Sequence, residues 1–256
     1  MQTSRFRRIA GVLLTVTSLS VIGVGCSSDE DNSDGERTIR GQIDGQNVRV
    51  DLPTAGTLQG LAVWFHGQSG TVDTRMNEDW LNALRAQGWA VASGDLGGDA
   101  WGNQDAITAA SALTEWATDQ AGVPVRLLVA GSMGALTSLN ALTHGAIAAD
   151  CWYGTMPVLD QSTVGNVPES SDQLRKAFGG SIPGEFTPAE SSLPPLRYRV
   201  LASPEDTWVP KTSNADLLAD LVPETANVTT LEVSGEHGDP SHFDADDLAA
   251  FAGECI

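Results

Sequence analysis

The sequence predicts an α/β domain with a mostly parallel central sheet, helices on both faces and a β-hairpin at its N-terminal edge. Three observations carry this expectation. Short apolar runs suited to buried strands, such as GLAVWF, WAVASG and YRVLA, alternate with stretches of helical periodicity, a pattern that right-handed crossovers turn into a parallel sheet. One segment, Val125 to Leu142, joins both kinds in a strand, a tight turn and a helix. The length of 256 residues suits one such domain plus an N-terminal extension, and is enough to bury a core without cross-links.

The extension comes first. Arg5, Arg7 and Arg8 precede an apolar stretch, Ile9 to Val24, that is too short and glycine-rich for a membrane span, so residues 1–25 read as a signal peptide. The segment ends in IGVGC before the polar run SSDEDNSDGE. It resembles a bacterial lipoprotein signal, which implies that Cys26 is lipidated and anchors the mature chain to the outer face of the cytoplasmic membrane. Gly23 departs from the aliphatic residue usual in such signals, and ordinary secretion stays open as the alternative. Residues 26–37 carry serine, acid and asparagine with no apolar period and read as a solvated tether to a domain spanning 38–256.

Formal charge is −19, and loss of the three signal arginines takes the mature chain to −22, with 11 basic residues against 33 acidic. Such a surface repels phosphate backbones, which argues against nucleic acid as a partner.

TIRGQI and NVRVDLP flank Asp44-Gly45, a turn pair that predicts the hairpin. GLAVWF then runs into His66-Gly67 and a glycine-containing loop in which a backbone N–H at Gln68 or Ser69 can approach a ligand. Residues 76–87 read as a short helix with Trp80, Leu81 and Leu84 inward, stopped by Gly88. WAVASGD is the next strand, and a helix from about Gln104 to Gln120 presents Ile107, Leu113 and Trp116. AIAADCWYGTMPV reads as a further strand. Residues 160–194, rich in Ser, Gly and Pro, form a candidate cap insertion or a plain surface excursion. Strand YRVLASPED, helix SNADLLADLV, strand VTTLEVSG and helix FDADDLAAFAGEC close the chain.

Within Val125 to Leu142, Ser132 sits at the tip of the turn with Ala130 two residues before and Gly134 two after. Small residues at those places let a serine adopt the strained, exposed conformation of a nucleophile elbow. The N–H of Met133 then lies at a helix N-terminus, aimed where an oxyanion forms. By itself the short string also fits an ordinary turn; its strand and helix context raises the catalytic reading.

The order of HG loop, small-x-Ser-x-Gly elbow, late acid and final histidine is similar to the α/β-hydrolase superfamily over roughly residues 38 to 256. That resemblance implies the α/β-hydrolase fold and a Ser-His-Asp triad. Asp206-Thr-Trp-Val209-Pro210 matches the family's Asp-x-x-Val-Pro, which makes Asp206 the acid, ahead of its neighbour Glu205 and of Asp160 after an earlier strand. GEHGDPSHF offers two histidines. His237 resembles the family's Gly-His-Gly ending and is preferred over His242. His66 resembles the structural histidine of the HG loop, and His144 reads as a helix C-cap.

The chemistry follows from these assignments. Serine is a weak nucleophile at neutral pH, so His237 takes its proton, Asp206 orients the imidazole, and an acyl-enzyme forms on Ser132, with the N–H groups of Met133 and Gln68 as oxyanion hole. The expected substrate is a carboxylic ester. A short peptide, cleaved by a prolyl-oligopeptidase-like enzyme, is the alternative, and a non-catalytic binding lipoprotein on the same scaffold is the alternative of another class. Trp101, Met133, Trp152, Met156 and Trp208 flank these loops and are candidates for an apolar pocket or for core. No metal-ligand motif or dinucleotide fingerprint is present, so no metal or other cofactor is expected.

Setting Cys26 aside for lipid leaves Cys151 and Cys255, an even number in an oxidising compartment. In a parallel sheet a strand start and the end of a helix returning from the last strand share the face opposite the site, which predicts a disulfide between them; two buried thiols are the alternative.

Overall fold

The computed structural model describes residues 37–53 and 56–256; the signal peptide, the candidate lipidation site Cys26 and nearly all of the tether lie outside the described residues. The predicted hairpin forms as β1 (Arg37–Ile43) and β2 (Gln46–Leu52), with Asp44 and Gly45 at positive φ in the turn. There follow β3 (Gly60–Phe65), α1 (Asp79–Ala86), β4 (Trp89–Gly94), α2 (Gln104–Ala121), β5 (Val125–Gly131), α3 (Met133–Thr143) and β6 (Cys151–Thr155). The chain continues through α4 (Ser170–Phe178), β7 (Arg197–Ala202), the single turn α5 (Leu218–Leu221), β8 (Asn227–Glu232) and α6 (Ala245–Gly253).

The eight described strands form one sheet in the order β1-β2-β4-β3-β5-β6-β7-β8. β2 pairs antiparallel with both β1 and β4, and every pairing from β4 to β8 is parallel. Period-two alternation sorts the core. Leu127 and Val129 of β5 face Trp80, Leu84 and Phe251 of α1 and α6, while Leu128 and Ala130 face Ile107, Leu113 and Leu139 of α2 and α3. A strand covered on both faces has no polar side to show, which is why these runs are continuously apolar.

Local signals set most boundaries. Asn103 caps α2, its side chain accepting from the Ala106 N–H at 3.0 Å, and Gly122 ends the helix in the left-handed region. Three expectations need correction. The stretch expected as one helix over SNADLLADLV is two 3-10 turns and the short α5, because the Asn214 side chain turns inward to accept from the N–H groups of Leu159 and Asp160. The strand expected from Ala146 is confined to Cys151–Thr155, since Ala146 and Ile147 donate back to the Ala141 carbonyl and close the end of α3. Helix α1 starts at Asp79 rather than 76, after a turn in which Arg75 adopts φ 63°.

The predicted disulfide is present. Cys151 at the start of β6 and Cys255 after α6 are bonded, with Cα atoms 6.0 Å apart and a sequence separation of 104.

Candidate active site

Ser132 follows β5 directly and adopts φ 50°, ψ −119°, outside the regions a non-glycine residue usually occupies. Its surroundings hold it there. The Ser132 N–H donates to the Thr155 carbonyl at 3.1 Å, and its own carbonyl accepts from Ala135 and Val158. Gly134 is obligatory in this turn, because a Cβ there would sit 2.1 Å from the Phe65 carbonyl oxygen.

Asp206 follows β7 and is 4% exposed. One carboxylate oxygen accepts from the N–H groups of Trp208 and Val209 at 3.0 and 2.9 Å, so the Asp-x-x-Val spacing is a turn that clamps the acid. The other oxygen lies 2.7 Å from His237 Nδ1, and His237 Nε2 lies 2.9 Å from Ser132 Oγ. An ionised carboxylate only accepts, so Nδ1 carries the proton and Nε2 is left to accept from the serine hydroxyl. Three side chains from three strand ends thus form one continuous hydrogen-bonded relay, at the carboxyl edge where parallel sheets bind ligands.

The competing candidates serve elsewhere. Glu205 accepts from the Gly235 N–H at 2.8 Å, and Asp160 caps a turn through the Ser162 N–H at 2.8 Å. His242 is fully buried behind the relay; its Nδ1 faces the Asp239 carbonyl at 3.2 Å, and its Nε2 has no hydrogen-bond partner among the described residues. Burial lowers its pKa below the ordinary histidine value. His66 lies between the carbonyls of Gly67 and Asp95, and His144 caps α3 at the Asn140 carbonyl while stacking on Phe186.

Gln68 lies on the loop after β3, beside the serine: a Cβ on its neighbour Gly67 would stand 3.4 Å from Ser132 Cβ. Met133 is the first residue of α3. A cavity of about 290 Å³ opens over Ser132 and His237, walled by Trp64, Arg75, Met156, Val167, Trp208 and Phe243. Of the aromatic and sulfur side chains expected near the site, Met156 and Trp208 line it. Trp152 is core, donating to Ser138, and Trp101 and Met133 are buried beneath the 160–194 segment. That segment reaches the site through Val167 and through Gln68, whose amide donates to Pro168 and Gln173. A larger recess of about 470 Å³ between the hairpin turn and α2 contains Asp44, Asp95 and Asp105 but none of the relay. Both Asp95 oxygens there already accept from Asn47 and Val72, whereas the smaller cavity is the one that opens onto the Ser132, His237 and Asp206 relay.

Sequence reasoning missed the braces of the site. Glu205 to Gly235 and Thr207 to Glu236 tie the Asp206 loop to the His237 loop, and the Met156 sulfur accepts from the Gly238 N–H at 3.1 Å. No periodicity marks such loop-to-loop bonds. Among the described residues there is no group of three or more His, Cys, Asp or Glu side chains placed to hold a metal ion, and no helix long and apolar enough to cross a membrane.

No protein-family model matches the chain, and no curated protein matches its sequence. Solved structures match it in shape at low identity. Est1E from Butyrivibrio proteoclasticus superposes with a TM-score of 0.65 at 14% identity, over 86% of this chain and 98% of that one. An S-formylglutathione hydrolase from Agrobacterium tumefaciens gives 0.67 at 10% identity, over 88% and 96%. A cold-adapted esterase from an Arctic intertidal metagenomic library gives 0.62 at 15%, over 91% and 100%. The eight-stranded sheet, its strand order and these similarities together establish that the chain has the α/β-hydrolase fold.

Proposed function

We propose that the chain is a serine hydrolase that cleaves small carboxylic esters through an acyl-enzyme. The observation that carries this reading is the Ser132, His237 and Asp206 relay, with contacts of 2.9 and 2.7 Å at the floor of a cavity. The solved structures of similar fold include proteins described as esterases, which agrees with it.

In the first step His237 Nε2 takes the Ser132 proton as Oγ bonds to the ester carbonyl carbon, and the carbonyl π pair moves onto oxygen. The resulting oxyanion is held by the N–H groups of Met133 and Gln68; each such donor typically contributes about 3 kcal/mol to transition-state stabilisation. Asp206 stabilises the imidazolium without taking its proton. The intermediate collapses, the C–O bond to the alcohol breaks, and His237 returns the proton to the departing oxygen. Water then repeats the sequence on the acyl-enzyme, releasing the acid and restoring Ser132.

The test is labelling and turnover together. A fluorophosphonate probe is expected on Ser132, and p-nitrophenyl acetate or butyrate is expected to turn over while short peptide substrates do not. Absence of labelling and of turnover in the folded protein would leave a binding scaffold in place of an enzyme, and faster peptide cleavage would favour the peptidase. The cell-envelope location is likewise a proposal resting on the N-terminal sequence alone. Mass spectrometry of the native N-terminus is expected to find lipidated Cys26, and an unmodified N-terminus at Ser27 or beyond would mean plain secretion.

A further inference from the structure

The cavity over Ser132 is apolar on most sides, yet one charged side chain lines it. Arg75 is the only Lys or Arg among its described lining residues, and no Asp or Glu joins it there. In a chain of net charge −19 that placement is against the prevailing composition.

The guanidinium is held in place by several features. Arg75 adopts φ 63°, a conformation that costs a non-glycine residue energy and persists only where surrounding contacts impose it. Two residues earlier, Asp73 is gripped by Arg40 and Arg49 from the sheet-edge hairpin, at 2.6 and 2.9 Å. Trp64, another cavity wall, donates its indole N–H to the Thr74 carbonyl at 2.8 Å. The Arg75 guanidinium carbon lies 3.5 Å from the centre of the Phe243 ring, which covers one face, and Nη1 donates to Glu78 at 2.6 Å. A guanidinium has five donors in a rigid fork, and the ring and one acid leave donors for a ligand.

We propose that Arg75 selects esters that carry a carboxylate besides the scissile bond, such as hemiesters of dicarboxylic acids. This rests on the ester-hydrolase reading above. An aromatic and aliphatic cavity contributes affinity for the chain linking the two groups, and the fixed cation at its wall distinguishes the charged ester from a neutral one of the same shape. A planar carboxylate matches the fork and displaces little of the bond to the half-exposed Glu78.

The experiment compares mono-(4-nitrophenyl) glutarate with 4-nitrophenyl methyl glutarate, which differ by one charge at nearly constant shape. In the wild type kcat/KM is expected to favour the charged ester by about tenfold, as a charge-assisted contact of ordinary strength gives. The preference is expected to shrink with added salt. In Arg75→Gln the ratio is expected to fall to about one, chiefly through KM for the charged ester; Arg75→Lys, which keeps the charge and loses the fork, is expected to retain part of it. Equal turnover of the two esters by the wild type overturns the proposal and leaves the esterase reading standing. A proportional loss on both esters in both variants, with the ratio unchanged, assigns Arg75 to packing over Phe243 and also overturns it. Turnover of neither ester, with p-nitrophenyl butyrate still cleaved, overturns this proposal alone; loss of p-nitrophenyl butyrate turnover as well overturns the esterase reading with it.

Discussion

At the scale of single residues, the relay depends on which atoms face each other more than on composition. Ser132→Ala, Asp206→Asn and His237→Ala are each expected to lower kcat/KM for p-nitrophenyl butyrate about ten-thousandfold or more, with the thermal midpoint nearly unchanged because all three side chains stand on loops. Circular dichroism melts beside the kinetics check both halves. His242 behaves differently. Its pKa is lowered by burial, the largest cause; the hydrogen bond at Asp239 and the charge of Asp206 act in the opposite sense, and nearby His237 adds a smaller lowering. A histidine whose folded pKa lies below its unfolded value of about 6.5 takes up a proton on unfolding, so its contribution to stability is complete above that pH and is lost as pH falls towards the folded pKa. His242→Phe is therefore expected to flatten the fall of the thermal midpoint between pH 7 and 5. Parallel melts of both proteins across that range measure it, and an unaltered slope would mean other groups cause the fall.

At the scale of elements, the elbow shows how one glycine permits a site. Strand β5 and helix α3 meet at an angle that brings the first turn of α3 against the backbone leaving β3, where Phe65 and His66 carbonyls would be 2.1 and 2.7 Å from any Cβ at residue 134. Backbone atoms cannot step aside as a flexible side chain can. Gly134→Ala is thus expected to cost about 3 kcal/mol of stability, the upper part of the range for overpacking. Urea unfolding checks this, and a loss below about 1 kcal/mol would show that α3 shifts freely, contrary to the packing described. Because α3 also carries Met133, activity is expected to fall along with stability.

At the scale of the whole molecule, two ties join the sheet to α1 and α6. One is ionic: buried Asp51 receives Arg49 and Arg85, joining the hairpin edge to α1, and Arg49 continues to Asp73 beneath the cavity wall. The other is covalent: Cys151 to Cys255 fixes α6, and through it the region after His237, to the centre of the sheet. A bridge closing a loop of this length limits the unfolded ensemble, worth about 4.7 kcal/mol in the chain-entropy model before native strain is counted. Cys255→Ser, or reduction of the wild type, is expected to lower stability by about 2 to 5 kcal/mol with kcat within a factor of about two, since the bridge lies at the sheet end away from Ser132. Denaturant melts with and without reductant, set against initial rates, decide it.

What was legible in the sequence was local or topological. The hairpin at Asp44-Gly45, the two-faced strands and the elbow around Ser132 each follow from neighbouring residues, because steric limits on φ and ψ and the burial of both sheet faces act over a few positions, whereas Asp206 is marked only by the resemblance of its Asp-x-x-Val-Pro run to a family motif. Even the Cys151 and Cys255 pairing followed from topology, one cysteine at the start of a parallel strand and the other at the end of the helix that returns to the same face. The tertiary structure decided what depends on direction in space. His237 and His242 share one loop, and only the fold turns His237 towards Asp206, 31 residues earlier, and buries His242 behind it. Trp208 and Trp152 are both candidates for pocket or core by sequence, yet one is exposed and lines the cavity and the other is core. Arg75 gave no signal at all in a stretch without periodicity; its place in the cavity wall is braced by Arg40 and Arg49, distant in sequence, holding Asp73. Contacts of that kind form only after the sheet brings strand ends together, and nothing within a few residues of either partner encodes them.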